Sequence, residues 1–292
     1  MKPEIIKDMP FDDYIDVDAC QKSALKNVET AKDLKKYREK KLDNDALRFG
    51  RIFHTAILEP NKFKKKKFEI YDDQDWIPKG EHKYDLSQND QKQLWKDYNR
   101  AYEIEYYKNK AEIDAIKAMS EAILTDPLAS KYLSGKGEAE LSLFWDDPKT
   151  GLRCKTRLDW LRYDDVIVEL KSDANPEPVA FGKKVYNMNY HVGAWFNREG
   201  FRACFERDIS AFVYIVNEKD DPWTIGTYSM NAHDFDGGEI DGYPQMKRYQ
   251  MIKAGGFKDH NQGEDGEYTV LPLQTPGWEE KRIDDAMGEI EV

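Results

Sequence analysis

Thr156-Arg157-Leu158-Asp159-Trp160, followed shortly by Val166-Ile167-Val168-Glu169-Leu170-Lys171, is the stretch on which the reading of this chain turns. Both segments read as β-strands. Side chains alternate across a strand, so Val166, Val168 and Leu170 share one face, and Ile167, Glu169 and Lys171 share the other. A carboxylate and an amine on an apolar strand need a reason, because burying either alone is costly. The plain reason is an edge strand whose polar face meets water. Asp159 suggests another. If the loop Tyr163-Asp164-Asp165 joins the strands, Asp159 stands opposite Glu169, with Cβ atoms about 4.5–5.5 Å apart. A two-residue loop, Asp164-Asp165, pairs Asp159 with Leu170 instead and turns the carboxylate away.

Outward from this pair the chain divides by character. Residues 1–134 read as a mainly helical N-terminal part, 135–256 as the core, and 257–292 as an acidic tail, all within one structural domain. Helices are expected over 18–42, from Asn44 or Asp45 to Leu58, over 88–124 and to Leu133; 61–90 reads as irregular. Gly50 on the second of these would let it approach the sheet closely. Glu140–Trp145 reads as a strand and Asp147-Pro148-Lys149-Thr150-Gly151 as a turn. Helices over 177–186 and 189–199, strands at 209–216 and 223–229 and a helix near 240–254 complete the core. The expected class is α/β, with a mixed central sheet flanked by helices.

The chain has 292 residues, of which 40% are hydrophobic and 35% charged, with a formal net charge of −11. No apolar run is long enough to span a bilayer, and Met1-Lys2-Pro3-Glu4 lacks the apolar stretch of a signal peptide. The expectation is a soluble cytoplasmic protein without a membrane partner. Cys20, Cys154 and Cys204 are too few and too scattered for a disulfide framework or a four-cysteine metal site. The acidic balance runs against phosphate binding, which needs Lys or Arg. Basic residues do cluster at Lys64–Lys67, at Arg153, Lys155 and Arg157, and at Lys183-Lys184, as solvated faces or as contact patches.

Two carboxylates as close as Asp159 and Glu169 repel each other unless a cation lies between them. Hard oxygen ligands with room for water suit Mg²⁺, with Mn²⁺ as a substitute. Such a metal polarises a phosphodiester and acidifies a bound water. Lys171 is placed to orient that water or to stabilise negative charge. The pattern Asp-x₉-Glu-x-Lys is short and, alone, weak.

Longer segments sharpen it. Leu47-Arg-Phe-Gly-Arg-Ile-Phe-His54-Thr-Ala-Ile-Leu-Glu-Pro60, Glu140-Leu-Ser-Leu-Phe-Trp145, Thr150–Asp159, Val168-Glu-Leu-Lys-Ser172 and Asn189-Tyr-His-Val192 occur in an order and spacing that resemble the PD-(D/E)xK nuclease superfamily. More closely, they resemble the exodeoxyribonuclease VIII type (RecE-like) exonucleases of phages and prophages, from about residue 16 to about residue 250. The resemblance implies a restriction-endonuclease-like core. It implies a metal held by His54, Asp159, Glu169 and the Leu170 carbonyl, with Lys171 as the catalytic lysine. Glu140 matches an acidic position on the first strand, near a second metal or the attacking water, although Glu138 offers a slipped alternative, and Tyr190 matches a supporting position.

The resemblance also implies hydrolysis of double-stranded DNA from its ends, 5′ to 3′, in a bacterial host. A ring-shaped homo-oligomer and a single-strand annealing protein as partner belong to the same expectation. Within the superfamily, a single-strand exonuclease or an endonuclease is the alternative; outside it, a DNA-end-binding module with weakened catalysis. The sequence departs from the family where a glutamine, and a tyrosine four residues on, are usual: here stand Gly193 and Asn197. His82, His191, His233 and His260 have no evident partners.

Overall fold

The computed structural model describes residues 2–28, 33–35, 37, 45–65, 68–70, 105–107, 110–255, 270 and 280–282. The main sheet has the order β1 (Glu4–Ile6), β4 (Gly137–Asp146), β5 (Arg153–Arg162), β6 (Val166–Asp173), β7 (Ala211–Glu218), β8 (Ile225–Ser229). Only β6 and β7 run parallel; the other neighbours are antiparallel, so the sheet is mixed. β2 (Phe68–Ile70) and β3 (Glu105–Tyr107) form a separate parallel pair.

Helices cover both faces. Val166, Val168 and Leu170 pack with Val213 and Ile215 under α3 (Asp45–Leu58), which the short α4 (Pro60–Lys65) follows, and under α5 (Lys110–Thr125) and α6 (Pro127–Leu133), through Phe53, Met119, Ile123 and Ala129. On the opposite face, Ile167, Phe212, Tyr214 and Val216 pack against α7 (Pro178–Asn187), α8 (Tyr190–Phe205) and α9 (Ala232–Lys253). The alternation expected for β6 is therefore present, and both its faces are buried, as suits a strand with parallel pairing on one side. α9 crosses α8 closely: a Cβ on Gly242 would lie 2.3 Å from Trp195 Cζ3.

Several boundaries differ from expectation. β1 joins the sheet edge from a stretch too short to show periodicity. Helix α1 (Phe11–Asp16) precedes the helix expected over 18–42; within that span Cys20 bridges Cys154 on β5, α2 covers Lys22–Asn27, residues 33–35 and 37 are helical, and 29–32, 36 and 38–42 lie outside the described residues. Of the helix expected over 88–124, residues 105–107 form β3 and Lys110–Thr125 are helical as α5, and the part before 105 lies outside the described residues. α9 begins at Ala232 rather than near 240, where Asn231 and Asp234 form a reciprocal capping box. A Cβ on Gly50 would meet open space, so this glycine does not mark a close approach. Most of 61–90 and of the 257–292 tail lies outside the described residues, as do His82, His260, Lys66 and Lys67.

The loop between β5 and β6 is the three-residue one. Asp165 donates its N–H to Arg162 O at 3.0 Å and adopts φ +65°, a left-handed conformation that aspartate tolerates. Trp160 pairs with Val168 and Leu161 with Ile167. The same register sets Asp159 opposite Glu169.

Candidate active site

The site is built where two ladders open. On β4 and β5, Ala139 pairs with Trp160 and Leu141 with Leu158, which sets Glu140 opposite Asp159 without a ladder partner. Glu140 has φ +50°, a twist that breaks the alternation of β4: Ala139 packs on the α3 side, Leu141 on the α8 side. On β5 and β6 the ladder stops at Trp160 and Val168. Leu170 N–H then donates to the Asp159 side chain, Oδ2, at 2.8 Å. Glu140, Asp159 and Glu169 thus form one row across three strands.

Helix α3 adds His54, next to the buried Phe53 that anchors the helix. His54 Nδ1 lies 3.5 Å from Asp159 Oδ1 and 3.8 Å from Glu140 Oε1. One ligand-type atom from each of His54, Glu140 and Asp159 lies within 4.8 Å of the others. Neighbouring ligands on an octahedral Mg²⁺ with bonds of 2.0–2.1 Å stand about 3 Å apart, so a small contraction closes this trio on an ion. An imidazole with two carboxylates is a donor set that Mg²⁺ or Mn²⁺ accepts.

Electrostatics fit a site shaped for a cation. Burial and the charge of Glu169 push the Asp159 carboxyl up to about 6. Burial pulls the His54 imidazole down, but Asp159 and Glu140 outweigh it, and its pKa is raised. Glu140 is held below its usual range against its burial by His54 and by Arg157, whose Nε donates to Oε2 at 2.6 Å. Glu138, the slipped alternative, is bound instead to Lys7 and to the Tyr163 hydroxyl, each at 2.6 Å.

Glu169 and Lys171 form the other half. Lys171 Nζ donates to Glu169 Oε2 at 2.8 Å and to the Leu170 carbonyl at 3.1 Å. Burial opposes the ammonium, but Glu169 and Asp159 raise its pKa. Glu169 is lowered despite its burial, chiefly by Lys171 and then by Lys22. In this arrangement Glu169 and the Leu170 carbonyl are engaged by Lys171, whereas Glu140 stands with His54 and Asp159.

The sequence matches the family described as a PDDEXK-like domain of unknown function, DUF3799, over residues 13–269. The chain belongs to this family. The match spans every residue of the site and places the protein in the PD-(D/E)xK nuclease superfamily. Among solved structures, a candidate exonuclease from Eubacterium rectale superposes with a TM-score of 0.57, covering 88% of this chain and 91% of that one, at 14% sequence identity. That likeness is one of fold, and it agrees with the mixed sheet and flanking helices. No curated protein matches the chain. Among the described residues, no helix is long and apolar enough to cross a membrane.

Around its site this DUF3799 protein has support that local patterns do not reveal. Asn197 Nδ2 donates to Glu169 Oε1 at 2.9 Å, while its own carbonyl oxygen accepts from the Thr156 hydroxyl. The departure at this position therefore keeps a polar hold on the acid. Tyr190 presents its ring 5.7 Å from Lys171 Nζ and accepts at its carbonyl from the Tyr214 hydroxyl at 2.9 Å. His191 is structural: it is buried between Val185 O and Asp241. The cluster Arg153, Lys155 and Arg157 is no contact patch. Arg153 pairs with Glu4 and Asp146, Arg157 with Glu140, and Lys155 is buried on backbone carbonyls. Lys184 pairs with Asp173 at 2.5 Å.

Proposed function

We propose that this protein is a metal-dependent exonuclease that degrades linear double-stranded DNA from its ends. The observation that carries the proposal is the row Glu140–Asp159–Glu169, flanked by His54 and Lys171. His54, Glu140 and Asp159 would hold the divalent cation, with Glu169 and the Leu170 carbonyl alongside. When bound, Mg²⁺ or Mn²⁺ supplies a polarised phosphodiester and a water acidic enough to attack it.

The residues of the chain supply the rest. Lys171 stays charged at neutral pH, so its ammonium can stabilise negative charge on the phosphate oxygens. Glu169 and Leu170 O hold that ammonium on one side of the row. Asn197, Thr156 and Arg157 fix the two flanking acids, so little reorganisation is needed when substrate arrives. Tyr190 packs its ring face toward Lys171 and limits where the amine can swing.

The polarity, 5′ to 3′, and the exposure of single strands for recombination extend this reading through the exodeoxyribonuclease VIII resemblance. A homo-oligomeric ring, a single-strand annealing partner and a phage- or prophage-borne gene in a bacterial host belong to the same extension. The net charge of −11 suits a ring that is acidic outside.

Digestion of linear duplex carrying one labelled 5′ end, with Mg²⁺ and with EDTA, tests the proposal. Early release of the label as mononucleotide, only with Mg²⁺ and with closed circles spared, is the expected result. Cleavage of closed circles would make the protein an endonuclease, and preference for single strands a single-strand exonuclease. End binding without hydrolysis in either Mg²⁺ or Mn²⁺ would reduce it to a binding module.

A further inference from the structure

Helix α2 brings a second ammonium to the site, and the route it takes accounts for Gly193. The segment before α2 is tied to β5: Cys20 N–H donates to Arg153 O, and Lys155 N–H to Cys20 O, each at 2.8 Å. Lys22, the first residue of α2, is thereby held beside the first turn of α8. A Cβ built on Gly193 would stand 2.4 Å from Lys22 Cδ, 2.7 Å from Nζ and 2.9 Å from Cε. The outer half of the lysine lies across the bare glycine, in space that any other residue would fill.

The two lysines of the site are used differently. The Lys22 ammonium lies 5.8 Å from the centre of the Tyr190 ring, and the Lys171 ammonium 5.7 Å from it. Lys171 is engaged by Glu169 and by the Leu170 carbonyl. Lys22 is half-buried, and among the described residues it has no hydrogen bond and no ion pair. Burial weighs against this ammonium; Glu169 and Asp159 attract it from a distance, Lys171 and Lys26 repel it, and neither acid makes direct contact with it. An arriving phosphate would supply a direct anionic contact. Lys26, four residues on and on the same face of α2, is exposed and extends the positive edge.

We propose that Lys22, seated over Gly193, binds a phosphate of the nucleic-acid strand beside the metal centre, and that the glycine is required to admit it. This rests on the nuclease reading above. At the position where the exonucleases that the chain resembles usually have a glutamine, this chain makes room for a cation delivered from a different helix.

The test is binding rather than turnover: fluorescence anisotropy of a labelled duplex with the full chain, in EDTA and in Ca²⁺, over a range of salt. Removing one phosphate contact lowers the slope of log K against log salt by about 0.9 and weakens affinity roughly eightfold at 0.1 M salt. Lys22→Met should show both effects. Gly193→Ala meets only the flexible end of a side chain, so it should fold with an unchanged melting temperature and weaken binding similarly. The double variant should bind no more weakly than Lys22→Met, because both changes remove one contact. Wild-type affinity and salt slope in Lys22→Met would overturn the proposal. Independent, additive losses would overturn the role of Gly193. If the wild-type protein binds duplex in neither buffer, the nuclease reading itself fails.

Discussion

Asn197 donates a hydrogen bond to Glu169 across 2.9 Å, from the position where the resembling family carries a tyrosine. The asparagine is itself held by Thr156 on β5, so strand, helix and acid are linked in one chain of contacts. Removing such a supporting partner usually costs about 10–100-fold in metal affinity or activity. Asn197→Ala is expected to fall in that range with its fold intact. Asn197→Asp should be worse, since it places a second carboxylate against Glu169. Steady-state kinetics across a Mg²⁺ titration reads both, and wild-type kinetics in Asn197→Ala would remove the residue from the site.

Lys171 is expected to matter for rate rather than for folding. Lys171→Met leaves Glu169 with Asn197 as a direct partner and removes the ammonium nearest the row. Losing one pre-placed stabilising group of this kind costs roughly 10²–10³ in rate. Single-turnover digestion of linear duplex, beside a circular dichroism melt, separates the two effects. A variant that melts normally and cuts at the wild-type rate would show that the lysine is not catalytic.

Asp159 makes stability depend on pH in a direction that can be worked out. Its folded carboxyl titrates at about 6, pushed up by burial and by Glu169. An unfolded aspartate titrates near roughly 3.9. Between these values the folded chain holds a proton that the unfolded chain has released. The contribution to stability is therefore complete below about pH 4 and is lost as pH rises through about 6. Asp159→Asn avoids that loss, and its amide oxygen can still accept from Leu170 N–H. In EDTA it should be more stable than wild type by on the order of 3 kcal/mol at pH 7.5, and by little at pH 4. Parallel melting curves across this range would refute the assignment.

The same protons compete with metal. Asp159 must ionise and the His54 imidazole, also raised, must be neutral before the trio can act as ligands. The gain in melting temperature on adding Mg²⁺ should grow from pH 5.5 to pH 8. At a hundredfold excess over the dissociation constant the stabilisation is about 2.7 kcal/mol. His54→Ala should lose most of it. A pH-independent gain, or one unaffected by His54→Ala, would place the ion elsewhere.

Lys155 is expected to be a structural residue despite lying in a basic run. The residue is 1% exposed, and its ammonium donates to Tyr14 O and Val17 O at 2.7 Å and to Ile15 O at 3.0 Å. Lys155→Met strands three carbonyls and should cost about 2–4 kcal/mol. Urea unfolding measures it. Because these carbonyls fix the approach to α2, duplex affinity should fall along with stability.

Whatever depended on local periodicity was readable before the structure. The two faces of β6 followed from strict alternation, and the three-residue loop carried Asp159 to its place opposite Glu169. The capping signature Asn231-Ala-His-Asp234 was also present in the sequence, although the hydrophobic pattern pointed to a later start for that helix. Contacts between distant segments had no such signal. The φ of +50° at Glu140 is imposed by its surroundings and not by residue type. Lys22 meets Gly193 only because Cys20 and Lys155 fasten one segment to β5. Arg157 looked like part of a cationic surface and is instead committed to an acid of the site.

The bond from Leu170 N–H to Asp159 Oδ2 gives the protein its own spectroscopic probe. One backbone amide, on the strand that carries Glu169 and Lys171, has as its acceptor the carboxylate whose charge changes near pH 6. Its nitrogen and proton resonances should follow every event that alters that oxygen: loss of the proton, arrival of the cation, approach of a phosphate. A single cross-peak in an amide correlation spectrum could then report the state of the site without substrate turnover and without an attached label.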